Sequence, residues 1–140
     1  MRTRQEPWGW VVCLESGENL RQSLEQLCLE LGVEGAQVSG IGGLLDPQLG
    51  FWQFDTGEYT RHTLEGRWEL LSLQGNISLY EGRPFAHLHV SLADESLQVV
   101  GGHFFEATVT ATVELFLTPC EPIERDWDDQ IGAALWNLQP

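Results

Sequence analysis

The chain has 140 residues, 42% of them hydrophobic, and a formal net charge of −14 from 7 basic and 21 acidic residues. This length and composition predict one folded domain with a core of its own. No apolar run approaches membrane-spanning length, so we do not expect a membrane protein. Nucleic-acid phosphates would repel so acidic a chain, so we do not expect nucleic-acid binding either. Three cysteines without a CxxC pair, and a charged N-terminus without an apolar signal segment, favour a cytoplasmic protein.

The first half of the chain contains the clearest helical pattern. Residues 19–31 predict the main helix, with Asn19 as its N-cap and Gly32 just beyond its end. Apolar residues recur along it at helical spacing: Leu20, Leu24, Leu27, Cys28 and Leu31. We expect that stripe to pack into the core.

The remaining elements are predicted strands. They are residues 8–14, 36–41, a hairpin of 50–54 with 59–64, then 66–73, 86–92 and 105–117, and residues 75–80 either extend 66–73 or pair with it. The glycine-rich segment 40–43 lacks the GxGxxG spacing of a phosphate loop, so we interpret it as a tight turn or a bulge. Residues 8–118 would form the domain core. The acidic segment 119–140 would be a C-terminal tail, with a short helical turn or a stretch packed on the body.

Three of the 4 histidines fall in one short stretch. In the strand predicted at 86–92 every second residue is apolar, so one face meets the core and the other carries His87 and His89 side by side. His103 follows a connection that ends in Gly101-Gly102, which can turn the chain back. Such a trio makes a workable three-nitrogen metal site, but simple surface histidines would give the same pattern.

The last predicted strand raises a difficulty for this site. Apolar residues alternate from Phe105 to Leu117 and predict one core face. His103 has the same parity as Phe105, so an unbroken strand would turn its side chain towards that apolar face. A strand that starts after His103, a bulge at the preceding glycines, or a face covered by another subunit would each resolve the conflict. The sequence leaves all three open.

Several stretches together resemble the plants-and-prokaryotes-conserved (PPC) domain, which stands alone in bacteria and archaea and follows AT-hook motifs in plant nuclear proteins. They are Gly66–Asn76, Pro84–Asp94 and Gly101–His103, supported by the Gly40–Gly42 segment. The resemblance runs from about residue 10 to about residue 117. It implies an α/β (α+β) fold, in which a strongly bent, mainly antiparallel sheet packs against one main helix at about residues 19–31.

The resemblance also implies a homotrimer whose histidines His87, His89 and His103 bind zinc or another divalent transition metal. It implies no established reaction, so the catalytic residues are unknown and we expect a binding or regulatory module with a small-molecule or protein partner. A metal-dependent enzyme acting on a small molecule is one alternative. DNA binding, as bacterial members are often described, is the other, and the net charge disfavours it. The string Glu81–Pro84 also lacks the first arginine of an AT-hook.

Carboxylates are the remaining candidates for chemistry. A general base for an enzyme would come from Glu69, Asp94, Glu106 or Glu114, although each also fits a solvated surface position. Water is the expected fourth metal ligand, with Glu69 and Asp94 as the protein alternatives. His62 lies outside the motif and is expected to be a surface histidine.

Overall fold

The computed structural model describes residues 1–138. Within that range the chain forms nine β-strands and one α-helix. The elements are β1 (Arg2–Glu6), β2 (Gly9–Glu15), α1 (Leu20–Leu31), β3 (Ala36–Gln53), β4 (Glu58–Thr63), β5 (Arg67–Tyr80), β6 (Arg83–Ala93), β7 (Val99–Pro119), β8 (Glu124–Asp128) and β9 (Ala133–Asn137). In this part of the chain no helix is long and apolar enough to cross a membrane.

The predicted helix is confirmed, with both of its ends. Asn19 has extended backbone angles, and its side-chain oxygen accepts a hydrogen bond from the Gln22 N–H. Gly32 ends the helix in the left-handed conformation, with φ 66°, which glycine adopts without steric cost. The apolar stripe is buried except for Leu31, which is 37% exposed. The helix therefore contributes one layer of the core.

The sheet closes partly on itself. β3 pairs with both β5 and β7, and β6 pairs with the same two strands, so these four strands form a ring of neighbours. All of these pairings are antiparallel, and the short β5–β8 contact is parallel. Such a ring requires the strands to bend. The protein is a single domain, mostly strand with one helix, in agreement with the predicted α+β class.

The predicted turn at residues 40–43 is wrong, and the predicted bulge is right. β3 continues through the glycines, and its pairing with β5 shifts register between Gly40 and Gly42. A Cβ atom at Gly42 would collide with the carbonyl oxygen of Thr112 on β7, and the residue has φ 156°. Glycine is needed here because the neighbouring strand lies so close. Residues 75–80 extend the strand predicted at 66–73, one of the two expected outcomes, and together they form β5.

The face assignment on β6 is confirmed. Its inward residues are buried: Ala86, Leu88, Val90 and Leu92. The outward positions His87 and His89 alternate with them and are half-buried and exposed. On β7 the predicted core face holds for most positions, but Ala111 is exposed and Phe105 packs beside His103, outside the core cluster. The pairing of β3 with β7 shifts register near each of them, between Gly42 and Leu44 and between Gln48 and Leu49.

At the C-terminal end the chain packs on the body of the domain, as one of the two expected alternatives had it, and it forms a hairpin where the other alternative was a helical turn. β8 and β9 are antiparallel, and β8 adds to the edge of β5 through Leu79 and Tyr80. The turn is built on Asp128, whose carboxylate accepts hydrogen bonds from the N–H groups of Gln130 and Ile131, with Gly132 at φ 76°. An aspartate that bonds to its own chain in this way, followed by a glycine, favours a turn over a helix. The last two residues of the tail, 139 and 140, lie outside the described residues.

Candidate metal centre

The three histidines of the predicted site come together on two paired strands. His87 and His89 lie on the outer face of β6. His103 on β7 is the direct cross-strand partner of His89. Residues directly opposite each other in an antiparallel pair put their side chains on the same face. The strand pairing therefore brings His103 to the other two.

A bulge resolves the parity conflict. β7 already begins at Val99, so the strand does not start after His103. In the pairing with β3, Phe104 lies opposite Leu49 but Glu106 lies opposite Gln48, which leaves Phe105 as an extra residue. An extra residue reverses the alternation of faces along a strand. The bulge therefore follows His103, and is not at the two glycines that precede it.

The rings are close enough to share one ion. One potential ligand atom from each histidine lies within 4.8 Å of those from the others. The ring centroids of His87 and His103 are 5.2 Å apart, and those of His89 and His103 are 5.5 Å apart. Nitrogens bound to one zinc ion at ~2.1 Å are at most ~4.2 Å apart, so small ring rotations would complete the fit.

Burial keeps two of these imidazoles in the form that binds metals. Desolvation lowers the pKa of His103 from 6.5 to about 3, with further contributions from His87 and His89. The pKa of His87 falls to about 4, first through desolvation and then through the positive charge of Arg125. Both rings are therefore neutral near pH 7. A neutral imidazole offers the lone pair that a metal requires.

One nitrogen of His103 lacks a partner. His103 is only 8% exposed, and its Nδ1 atom makes no hydrogen bond within the described chain. Buried polar atoms are nearly always bonded, and an unpaired one costs free energy of about 1–3 kcal/mol. His103 is also one of the three clustered histidines, each of which offers one ring nitrogen as a ligand atom. Three imidazole nitrogens suit zinc or another late divalent ion better than magnesium or calcium.

Aromatic side chains hold His103 in place. The Tyr59 ring on β4 stacks on it with centroids 4.4 Å apart and planes 27° apart, and Phe105 meets it edge-on at 4.9 Å. Trp52 in turn packs edge-on against Tyr59. The sequence did not reveal these contacts, because the hairpin of β3 and β4 reaches His103 only through the register set by the bulge. Desolvation also raises the pKa of Tyr59, so its hydroxyl is neutral near pH 7.

Arg125 is a second component that the sequence did not reveal. It lies on β8, only 7% exposed, and hydrogen-bonds to Ser78, Asn76 and the carbonyl of Ala134. Its Nη2 atom is also 3.4 Å from Nδ1 of His87. Arginine is always a donor, so this contact requires a lone pair on Nδ1. If His87 instead binds a metal through Nε2, its proton moves to Nδ1, and Arg125 keeps its bonds to Asn76 and Ser78.

The predicted carboxylates do not join the histidines. The candidate metal group consists of histidines within residues 1–138. Glu69 lies opposite Ala93, four residues along β6 from His89, and the Asp94 carboxylate accepts bonds from Ser96 and Gln98 in the next turn. Neither is positioned as the fourth ligand. The predicted bases Glu106 and Glu114 are both exposed on β7 and also lie outside the group. Likewise, His62 is exposed and outside it.

Fold and site together define a class of protein, a compact β-rich domain with a cluster of histidines on the outer face of a partly closed sheet. Residues 1–121 match the Plants and Prokaryotes Conserved (PCC) domain, the family abbreviated PPC above. The chain belongs to this family.

Solved structures of similar proteins support the family and the fold. A PPC protein from Pyrococcus horikoshii is 37% identical, with a TM-score of 0.87 over 100% of this chain and 94% of that one. A metal-containing protein from Archaeoglobus fulgidus is 35% identical, with a TM-score of 0.85 over 91% of both chains. A protein from Ralstonia eutropha JMP134 with a provisional DNA-binding description is 28% identical, with a TM-score of 0.89 over 98% of this chain and 96% of that one.

Among curated proteins, the chain is similar to part of a much longer one. It is 30% identical over 128 residues to the bifunctional protein GlmU of Synechococcus sp. (strain JA-2-3B'a(2-13)). That match covers 89% of this chain but 19% of the relative, so the chain spans about a fifth of the relative's length.

Proposed function

We propose that this chain is a homotrimeric binding module built on a divalent-metal site at His87, His89 and His103. The observation that carries the proposal is the cluster of three histidines, in which one ligand atom of each lies within 4.8 Å of those of the others. The Nδ1 atom of His103, buried and unpartnered within residues 1–138, supports it. An unpaired buried polar atom is unfavourable unless a ligand satisfies it. Zinc, or another late divalent ion, is the ligand that suits three neutral imidazoles. Water would take the fourth position.

The description of the Archaeoglobus fulgidus protein as metal-containing supports this assignment. The two chains are 35% identical. Catalysis remains the weaker alternative, because no aspartate or glutamate of the described chain joins the histidine group to act as a base. We therefore propose a structural or ligand-presenting role for the metal.

Zinc uptake tests the metal site directly. Untagged protein is incubated with zinc, desalted, and analysed for metal beside the His87→Ala/His89→Ala variant and a His62→Ala control. His62 is an exposed histidine outside the cluster, so the control should keep the wild-type zinc content. The double variant should lose most of it. Equal zinc in all three proteins would refute the site.

The trimer is tested separately by light scattering coupled to size exclusion. We expect a mass near three times 15.8 kDa at micromolar concentration. A monomer would refute this part of the proposal and would leave the metal site untouched.

DNA binding is the alternative raised by the Ralstonia eutropha description, and the charge distribution argues against it. Of the 7 basic residues, Arg2, Arg4 and Arg21 form ion pairs with glutamates, and Arg125 is buried. Duplex affinity depends on many exposed cations facing the phosphates. We expect no sequence-selective binding in a gel shift at physiological salt. Sub-micromolar selective affinity there would reverse this conclusion.

A further inference from the structure

A cavity of about 570 Å³ lies beside two of the three histidines, His87 and His103. Aromatic side chains form much of its wall, among them Trp52, Tyr59 and Phe85. Sites for small molecules usually have volumes of ~300–1,000 Å³ and mainly apolar walls with a few polar groups. In size and lining, the cavity resembles such a site.

The charged side chains in its wall are all positive. Arg21, Arg61 and Arg125 line the cavity, and no aspartate or glutamate of the described chain does so. The whole chain has only 7 basic residues against 21 acidic ones. Three of the 7 basic residues therefore line this cavity, against the charge of the protein as a whole, and two of them, Arg21 and Arg61, also line a neighbouring cavity with Glu25 and Glu106. Clefts lined by one sign of charge concentrate ligands of the opposite sign.

Two of these cations have no carboxylate partner within residues 1–138. Arg21 pairs with Glu25 at 2.9 Å. The Arg61 guanidinium instead lies over the Phe105 ring, 3.8 Å from its centroid, and Arg125 hydrogen-bonds only to neutral groups. A buried charge without a counter-ion is costly. An anion in the cavity would remove that cost for Arg125 and find free N–H donors on Arg61.

We propose that this cavity binds a small organic anion, a carboxylate attached to an aromatic or other apolar body. The guanidinium groups recognise the carboxylate, whose two oxygens match their paired N–H donors. The aromatic wall takes the apolar body, which distinguishes this ligand from an inorganic anion. The site does not require the metal, so it is a further function beyond the proposed metal centre. A ligand bound here would lie next to His87 and His103.

The test uses benzoate as the probe and metal-free, ¹⁵N-labelled protein. The indole N–H signals of Trp52 and Trp127, both in the cavity wall, report binding in a titration followed by NMR. Benzoate should shift them in a saturable way. Benzamide, which keeps the ring without the charge, and acetate, which keeps the charge without the ring, should each bind ~10-fold more weakly.

A matched pair of variants locates the charge. Arg61→Gln and Arg67→Gln change the net charge equally, and both arginines are exposed, so both variants should fold. Arg67 lies outside this cavity. Loss of Arg61 should weaken benzoate binding ~5–10-fold, and loss of Arg67 by less than ~2-fold.

The proposal is overturned if benzoate and benzamide bind equally, if both variants weaken binding alike, or if no saturable shift occurs. If the variants misfold, the comparison of the three probes on the wild-type protein still decides.

Discussion

The Nη2 atom of Arg125 lies 3.4 Å from Nδ1 of His87. The C-terminal hairpin thus sets a buried cation against a candidate metal ligand. The two residues are far apart in the sequence and meet because β8 adds to the edge of β5, while β6 pairs with the same strand. A cation at this distance opposes protonation of the imidazole.

The first prediction follows from that contact. Replacing Arg125 by glutamine should raise the pKa of His87 above its value of about 4, because the largest of the charge effects that lower it is removed. Desolvation, the larger cause, remains, so the pKa should stay below 6.5. NMR titration of metal-free protein measures it.

The control is Arg67→Gln, which removes an exposed arginine away from the histidines and should leave the pKa of His87 unchanged. An unchanged pKa in the Arg125 variant, with the hairpin still folded, would contradict the electrostatic role given to this residue.

The second prediction separates the two faces of β6. Leu88 is fully buried, and its neighbour His89 is exposed. Leu88→Ala should lower the free energy of unfolding by about 2–5 kcal/mol, the usual cost of a large-to-small change in a core. His89→Ala should change it by less than about 0.5 kcal/mol in metal-free protein. Denaturant unfolding measures both, and similar losses in the two variants would contradict the face assignment.

The sequence predicted the elements whose signal is local. The helix at 19–31 has a cap residue, a regular apolar stripe and a terminal glycine, and each reports on neighbouring residues only. The strict alternation along β6 likewise placed His87 and His89 on one face, as observed. The observed elements agree with these patterns because the tertiary contacts favour the same structure as the local sequence does.

The features that the sequence did not predict depend on distant pairing. The bulge at Phe105 exists only relative to Leu49 and Gln48 on β3, so alternation along β7 could not locate it. Arg125 stands between acidic residues, a context typical of an exposed ion pair, yet it is buried against Ser78. Its burial follows from the register of β8 on β5, which no local pattern encodes.

The third prediction concerns pH. The pKa of His87 is about 4 and that of His103 about 3 in the folded protein, against 6.5 as the ordinary value. Between these values the unfolded chain binds protons that the folded state does not. The stability of metal-free protein should therefore be full above pH 6.5 and fall as the pH drops from 6.5 towards about 3.

Denaturant unfolding in the presence of a chelator, from about pH 7.5 to about pH 4.5, measures this dependence. A His103→Leu variant lacks one of the two groups, so its stability should fall less over the same range. A profile that is flat in the wild type, or equally steep in the variant, would contradict the assigned pKa values.

The last prediction separates stability from metal binding at His103. Its buried Nδ1 atom has no partner within residues 1–138, so in metal-free protein the residue contributes an unsatisfied polar group. Replacing such a group by an apolar side chain is often neutral or stabilising. His103→Phe keeps a ring that stacks on Tyr59, but phenylalanine is larger than histidine. His103→Leu avoids that increase in volume. At pH 7 at least one of them should match or exceed the wild-type free energy of unfolding without metal.

With zinc the wild-type protein should be more stable than both His103 variants. Zinc that binds only the folded state raises the wild-type melting temperature, by an amount that grows with its concentration. Both variants lack a ligand and should lose most of that increase, whereas His62→Ala should keep it. Thermal unfolding with and without zinc measures both effects. A loss above about 2 kcal/mol in both metal-free variants would mean that His103 is a structural core residue, because its removal would then cost as much as a buried contact. An undiminished zinc effect would exclude it as a ligand.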